Sequence, residues 1–219
     1  MALRINDTVP NITVETDHGS FALHDFIGDS YAILFSHPKD FTPVCTTEFG
    51  AVAQLKDAWE KRGVKVLGIS VDNVEEHRKW KGDIEQVAKA PAFFPIVADT
   101  SLELSKAFDM LPAEAWLKDG RTPADTATVR SVFIIGPDKK VRLMMTYPMS
   151  VGRNFAEVLR ALDAVMATDG VPIATPANWM PGEDVIVALS LTTDQAKEKF
   201  GDVNVVLPYL RTIKDPKAA

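Results

Sequence analysis

The spacing of apolar positions changes several times along the chain, and each change marks an element. Residues 31–36 (YAILFS) form a short unbroken apolar run, the pattern of a strand buried on both faces. Helical spacing follows in Phe49, Val52, Ala53 and Trp59, and Gly63 closes that segment. VKVLGISV (64–71) predicts a second buried strand. Asp72 and Asn73 then offer caps to a charged amphipathic helix running through Trp80 towards Val87. FFPIVAD (93–99) predicts a third strand and residues 101–108 a short helix. SVFIIG (131–136), the turn Pro137-Asp138-Lys139 and VRLMMTY (141–147) predict a hairpin. Phe155, Val158, Leu159, Leu162 and Val165 fit one face of a further helix. This alternation predicts the α/β class: a central mixed sheet flanked by helices, with a parallel core and antiparallel strands added by the hairpin. From about Asp169 the pattern breaks, because Gly170, Pro172, Pro176, Pro181 and Gly182 crowd together. VIVAL (185–189) and a short helix near 194–200 come after the break. The expected organisation is a main domain over 1–167 and a smaller C-terminal extension over 168–219.

Composition narrows the function. Hydrophobic residues at 46% and charged residues at 25% of 219 exclude disorder as the main state. A net charge of −6 repels phosphate backbones and anionic lipid heads, so neither nucleic acid nor a membrane surface is an expected partner. No apolar run approaches the ~20 residues that span a bilayer. Asp7, Glu15 and Asp17 occupy the stretch where a secretory leader would be apolar, so the expected compartment is the cytoplasm. Cys45 is the single cysteine, which excludes an internal disulfide, a CxxC pair and the usual zinc sites. His18, His24, His37 and His77 lack ligand spacing, so no metal is expected.

The single thiol lies in His37-Pro38-Lys39-Asp40-Phe41-Thr42-Pro43-Val44-Cys45-Thr46-Thr47-Glu48. Thr42 suits an N-cap and Pro43 the first helical position, which puts Cys45 at the third. First-turn amides have no partner within the helix and the macrodipole is positive there, and both favour a thiolate. On local physics alone, a reactive cysteine and a small buried hydrophobe remain equally open readings.

PKDFTPVCTTEFG resembles the active-site signature of the peroxiredoxins: Pro, three residues, Thr, two residues, Cys. SHP, VRSVFIIGPDKKVRL, YPMSVGRNFAEVLRALDA and TPANWMPGEDV resemble the one-cysteine class of that family, in consistent order from roughly residue 30 to 187. The resemblance implies a thioredoxin-like fold and a thiol-dependent peroxidase acting on hydrogen peroxide and organic hydroperoxides. It implies no bound cofactor, an external small-thiol or protein-thiol reductant, and a homodimer or a ring of dimers. By position it makes Cys45 the peroxidatic nucleophile, gives Thr42 to the peroxide, lets Pro38 shield the pocket and assigns Arg130 to the thiolate and leaving oxygen. Glu48, Arg153 and His37 are supporting members. The sequence departs from the class pattern at Lys39 and at Met149-Ser150-Val151, both at the pocket mouth.

Two other functions compete. The one-cysteine class is associated with a serine hydrolase set, and the matching residues are Ser30 in Gly28-Asp29-Ser30-Tyr31-Ala32, His24 and Asp138. The second glycine of GxSxG is absent, and a turn serine, a polar helix residue and a hairpin residue explain the three more simply. A non-catalytic thioredoxin-like binding module is the third reading. It is disfavoured because Thr42 and Arg130 are both present.

Overall fold

The apolar run at 31–36 becomes an interior strand of a seven-stranded sheet in the computed structural model of the protein, which describes residues 2–115, 117–118, 122 and 125–217. In chain order the first elements are β1 (Thr13–Thr16), β2 (Gly19–Ala22), α1 (Leu23–Ile27), β3 (Ala32–Ser36), α2 (Pro43–Gln54) and α3 (Lys56–Lys61). Next come β4 (Lys65–Ser70), α4 (Val74–Ala88), β5 (Ile96–Ala98), α5 (Glu103–Ala107), β6 (Arg130–Ile135) and β7 (Val141–Tyr147). The chain ends with α6 (Phe155–Thr168), β8 (Ile173–Ala174), β9 (Val185–Val187), α7 (Thr193–Phe200), β10 (Asn204–Leu207) and β11 (Leu210–Ile213).

The chain divides into two units, Met1–Phe155 and Ala156–Ala219. The sheet of the first has the order β2-β1-β5-β4-β3-β6-β7. β3, β4 and β5 pair in parallel, and every other pairing in this sheet is antiparallel. The parallel core and the closing hairpin are as the alternation predicts. All five residues of β3 and all six of β6 are buried, which accounts for their continuous apolar runs. An aromatic cluster of Phe35, Phe49, Trp80 and Phe94 joins β3 to α2 and α4, with ring centroids 4.8–5.6 Å apart. Gly68 makes room for it, since a Cβ there would stand 3.0 Å from the Phe49 ring.

The division after Phe155 differs from the boundary expected at 167/168. The Gly/Pro run marks the end of α6, whereas Ala164 and Ala167 of that helix pack with Ile173, Trp179, Val185 and Ala196 of the second unit. That unit has its own four-stranded sheet, β10-β11-β9-β8. The helix expected from the Phe49–Trp59 spacing is broken at Leu55. The Val52 carbonyl accepts from Leu55 N–H (3.2 Å) and from the Trp59 indole (3.1 Å), and a new helix begins at Lys56.

Candidate active site

β3 ends at Ser36, and residues 37–42 carry the chain to α2. Thr42 has the extended backbone of an N-cap (φ −119°, ψ 147°) and Pro43 opens the helix, as expected. The Thr42 side chain does not cap, however: its hydroxyl donates to the Lys39 carbonyl at 3.0 Å. The hydrogen is thereby committed, and the oxygen lone pairs remain to accept. Cys45 sits in the first turn with its side chain fully buried. Pro38 is buried in the same connection.

Strand β6 begins with Arg130, which brings its guanidinium to the sulfur. Nη1 donates to Cys45 Sγ at 3.3 Å and to Glu48 Oε2 at 2.7 Å, and Nε donates to the Met149 carbonyl at 2.8 Å. Glu48 lies one helical turn after Cys45 and accepts from two arginines. Arg153 donates to it from its backbone N–H (2.7 Å), Nε (2.9 Å) and Nη2 (2.8 Å), and sends Nη1 to the Ser131 carbonyl. The Arg153 guanidinium also lies over the Phe35 and Phe155 rings, at 5.3 and 5.4 Å from their centroids. Arg153 thus acts on the carboxylate, and Arg130 on the sulfur.

Burial pushes the Glu48 carboxyl up. The hydrogen bonds and charge of Arg153, with Arg130 adding to them, outweigh burial and hold it below the ordinary carboxylate range. A carboxyl lowered on folding contributes stability above its unfolded range and loses it as pH falls through the folded value. Glu48→Gln leaves two buried arginines without a counter-charge and is expected to cost about 3 kcal/mol or more at neutral pH. Denaturant midpoints check this: the gap between wild type and variant should close in acid, below the ordinary carboxylate range.

His37 is buried beside this set but is not on the sulfur. Nε2 bonds Asp40 Oδ1 at 2.7 Å, the ring stacks on Trp80, and Nδ1 has no partner. Burial holds His37 below its ordinary range, against the opposing pull of Asp40. Asp40 is the residue that sequence reasoning passed over. Its Oδ2 meets His77 Nδ1 at 2.6 Å, and its N–H donates to Asp72 Oδ2 at 2.9 Å. Its place within the quoted signature was the only signal available. His37, Asp40 and Asp72 bring potential metal-ligand atoms within 4.8 Å of one another, but each of these side chains is engaged in the hydrogen bonds just described.

Among the described residues the hydrolase residues form no hydrogen-bonded set. His24 Nε2 donates to the Val9 carbonyl at 2.8 Å, and Asp138 pairs with Arg142 at 3.0 Å. Among the described residues the Ser30 hydroxyl makes no hydrogen bond to either.

Comparison with known proteins gives the same reading. The AhpC/TSA family matches residues 5–144, and the C-terminal domain of 1-Cys peroxiredoxin matches residues 162–202. The mitochondrial peroxiredoxin PRX1 of Saccharomyces cerevisiae is 49% identical over 215 residues, covering 97% of this chain and 81% of its own. 1-Cys peroxiredoxin A of Oryza sativa subsp. japonica is 48% identical over 200 residues, covering 90% and 89%. The peroxiredoxin 6 structure from Arenicola marina superposes with a TM-score of 0.91 at 38% identity, over 99% of this chain and 100% of that one. A yeast mitochondrial 1-Cys peroxiredoxin, described as resolved by glutathione/thioredoxin systems, gives 0.88 at 49% identity, over 97% and 99%. These neighbours establish the thioredoxin-like fold.

They also overturn the expected cytoplasmic location, since a 49%-identical relative is mitochondrial. That expectation rested on the lack of an apolar leader, and mitochondrial leaders are amphipathic and Arg-rich instead. Among the described residues no helix is long and apolar enough to cross a membrane. The matches run in order through both units, at high identity and near-full coverage: this chain belongs to the peroxiredoxins, in their 1-Cys class, and is a thiol-dependent peroxidase.

Proposed function

We propose that Cys45 reduces hydrogen peroxide and organic hydroperoxides, and that an external thiol, small or protein-borne, restores it. The observation that carries this is Arg130 Nη1, which reaches both Cys45 Sγ and Glu48. The Cys45 thiolate attacks one peroxide oxygen, so that an S–O bond forms as the O–O bond breaks. Sulfur is oxidised to sulfenic acid, and the other oxygen leaves as hydroxide or alkoxide and takes a proton to become water or an alcohol. Arg130 stabilises the charge that develops on the departing oxygen. Glu48, held by Arg153, keeps the Arg130 guanidinium in place. Thr42, its hydrogen spent on Lys39, accepts from the hydroperoxide O–H. Pro38 helps to keep water from the sulfur. His37 supports the connection through Asp40.

A first external thiol then condenses with the sulfenic acid, forming a mixed disulfide and releasing water. A second displaces Cys45 and leaves as the oxidised disulfide. No bound cofactor enters this cycle. One equivalent of peroxide without reductant should add one oxygen to Cys45 by mass spectrometry. Excess peroxide should drive it to the sulfinic and sulfonic acids, because the chain has no second thiol. An obligatory Cys45–Cys45 disulfide between chains during turnover would contradict external resolution.

A further inference from the structure

Three elements outside the site converge on Asp40. Its carboxylate is buried between two imidazoles, His37 at the end of β3 and His77 on α4. Its N–H donates to Asp72, whose Oδ2 also accepts from Ser70 Oγ at 2.8 Å, at the end of β4. The far side of the His77 ring is fixed too, with Nε2 3.1 Å from the Val97 carbonyl of β5. Burial pushes the Asp40 carboxyl up, but the bonds from both histidines outweigh burial and hold it below the ordinary range, so it acts as an acceptor. The clasp sits between two parts of the site. Lys39, the residue before Asp40, supplies the carbonyl that orients the Thr42 hydroxyl. Phe41, the residue after it, has a left-handed backbone (φ 54°), a strained conformation for an aromatic residue that persists only when its surroundings hold it.

We propose that Asp40 and His77 are positioning residues for the peroxidase reaction: through the Lys39 carbonyl they aim the Thr42 oxygen at the incoming hydroperoxide. His77 contributes by its Nδ1 contact with Asp40; its Nε2 contact with Val97 only packs the core. Misplacing an accepting oxygen by a fraction of an ångström weakens alignment of the O–O bond with sulfur and leaves the sulfur itself untouched.

The inference rests on the assignment of Thr42 as the peroxide's acceptor, and a double-mutant cycle separates the two. In His77→Gln the amide nitrogen replaces Nε2, keeping the Val97 contact and losing Asp40; in His77→Asn it replaces Nδ1, keeping Asp40. Cys45 oxidation by hydrogen peroxide should slow at least ~10-fold in His77→Gln and stay within ~3-fold of wild type in His77→Asn. Alkylation of Cys45 by iodoacetamide, which needs the sulfur and no aligned O–O bond, should be unchanged in both. In a Thr42→Val background, His77→Gln should add less than ~3-fold. Equal loss in the Gln and Asn variants, parallel loss of alkylation, or full additivity with Thr42→Val overturns the positioning role. Wild-type oxidation in Thr42→Val alone overturns the Thr42 assignment instead. If His77→Gln does not fold, Asp40→Asn probes the same contacts from the other side, and a wild-type oxidation rate there overturns the proposal.

Discussion

Cys45→Ser is expected to abolish thiol-dependent hydroperoxide turnover, leaving only the direct reaction of added thiol with peroxide. The reaction needs an atom that accepts one peroxide oxygen and then surrenders it to a thiol. Sulfur does this through the sulfenic state, whereas a serine oxygen attacking the same bond would only form another O–O bond. Cys45 is the single cysteine, so no other residue can take over the step. The substitution is close in volume at a fully buried position, and the Glu48–Arg130–Arg153 set remains paired. Loss of activity with a retained thermal midpoint would therefore be a chemical effect. Peroxide consumption with an excess of a small thiol checks it, and residual enzyme-dependent turnover would remove Cys45 from the mechanism.

Legibility in the sequence followed how local each feature is. β3, β4 and β6 were readable because burial on both faces turns a strand into an unbroken apolar run. Asn73 was readable as the cap of α4 because the motif is short-range, and its side chain does accept from Glu76 N–H at 3.0 Å. The hairpin β1–β2 was not, since Val14 is the only fully apolar buried residue of β1 and β2 is half exposed. β10 was missed for a related reason: all four of its residues are exposed, so no alternation of apolar and polar faces develops. In the site, Thr42 and Cys45 lie in the cap and first turn of α2, where the local rules for helix starts reach them, whereas Glu48, one turn further on, came only from the family resemblance. Arg130 is 85 residues from Cys45, and only the family resemblance connected the two. The contact of Asp40 with His77, 37 residues apart, arises from the placement of α4 beside the connection after β3 and has no local signature.

Arg130→Ala is expected to slow sulfenic-acid formation by at least ~10²-fold, the cost of removing one oxyanion donor. Ionisation cannot account for a loss of that size. About 3% of an ordinary thiol is ionised at neutral pH, so full ionisation gains about 30-fold. If nucleophilicity falls with thiol pKa as it does in thiol exchange, about 10-fold of that gain is returned. The larger part of the rate must then come from aligning the O–O bond with sulfur and stabilising the leaving oxygen, and Arg130 is the cation in contact with Sγ. Glu48 keeps its bonds to Arg153 in this variant, so its carboxylate stays paired. The decisive measurement is the stopped-flow rate of Cys45 oxidation by hydrogen peroxide in wild type and Arg130→Ala at pH about 10, where even an ordinary thiol is largely ionised. A deficit that persists there at ~10²-fold or more is the predicted result. Near-complete recovery of the variant's rate would contradict it, and would mean that Arg130 acts only on ionisation.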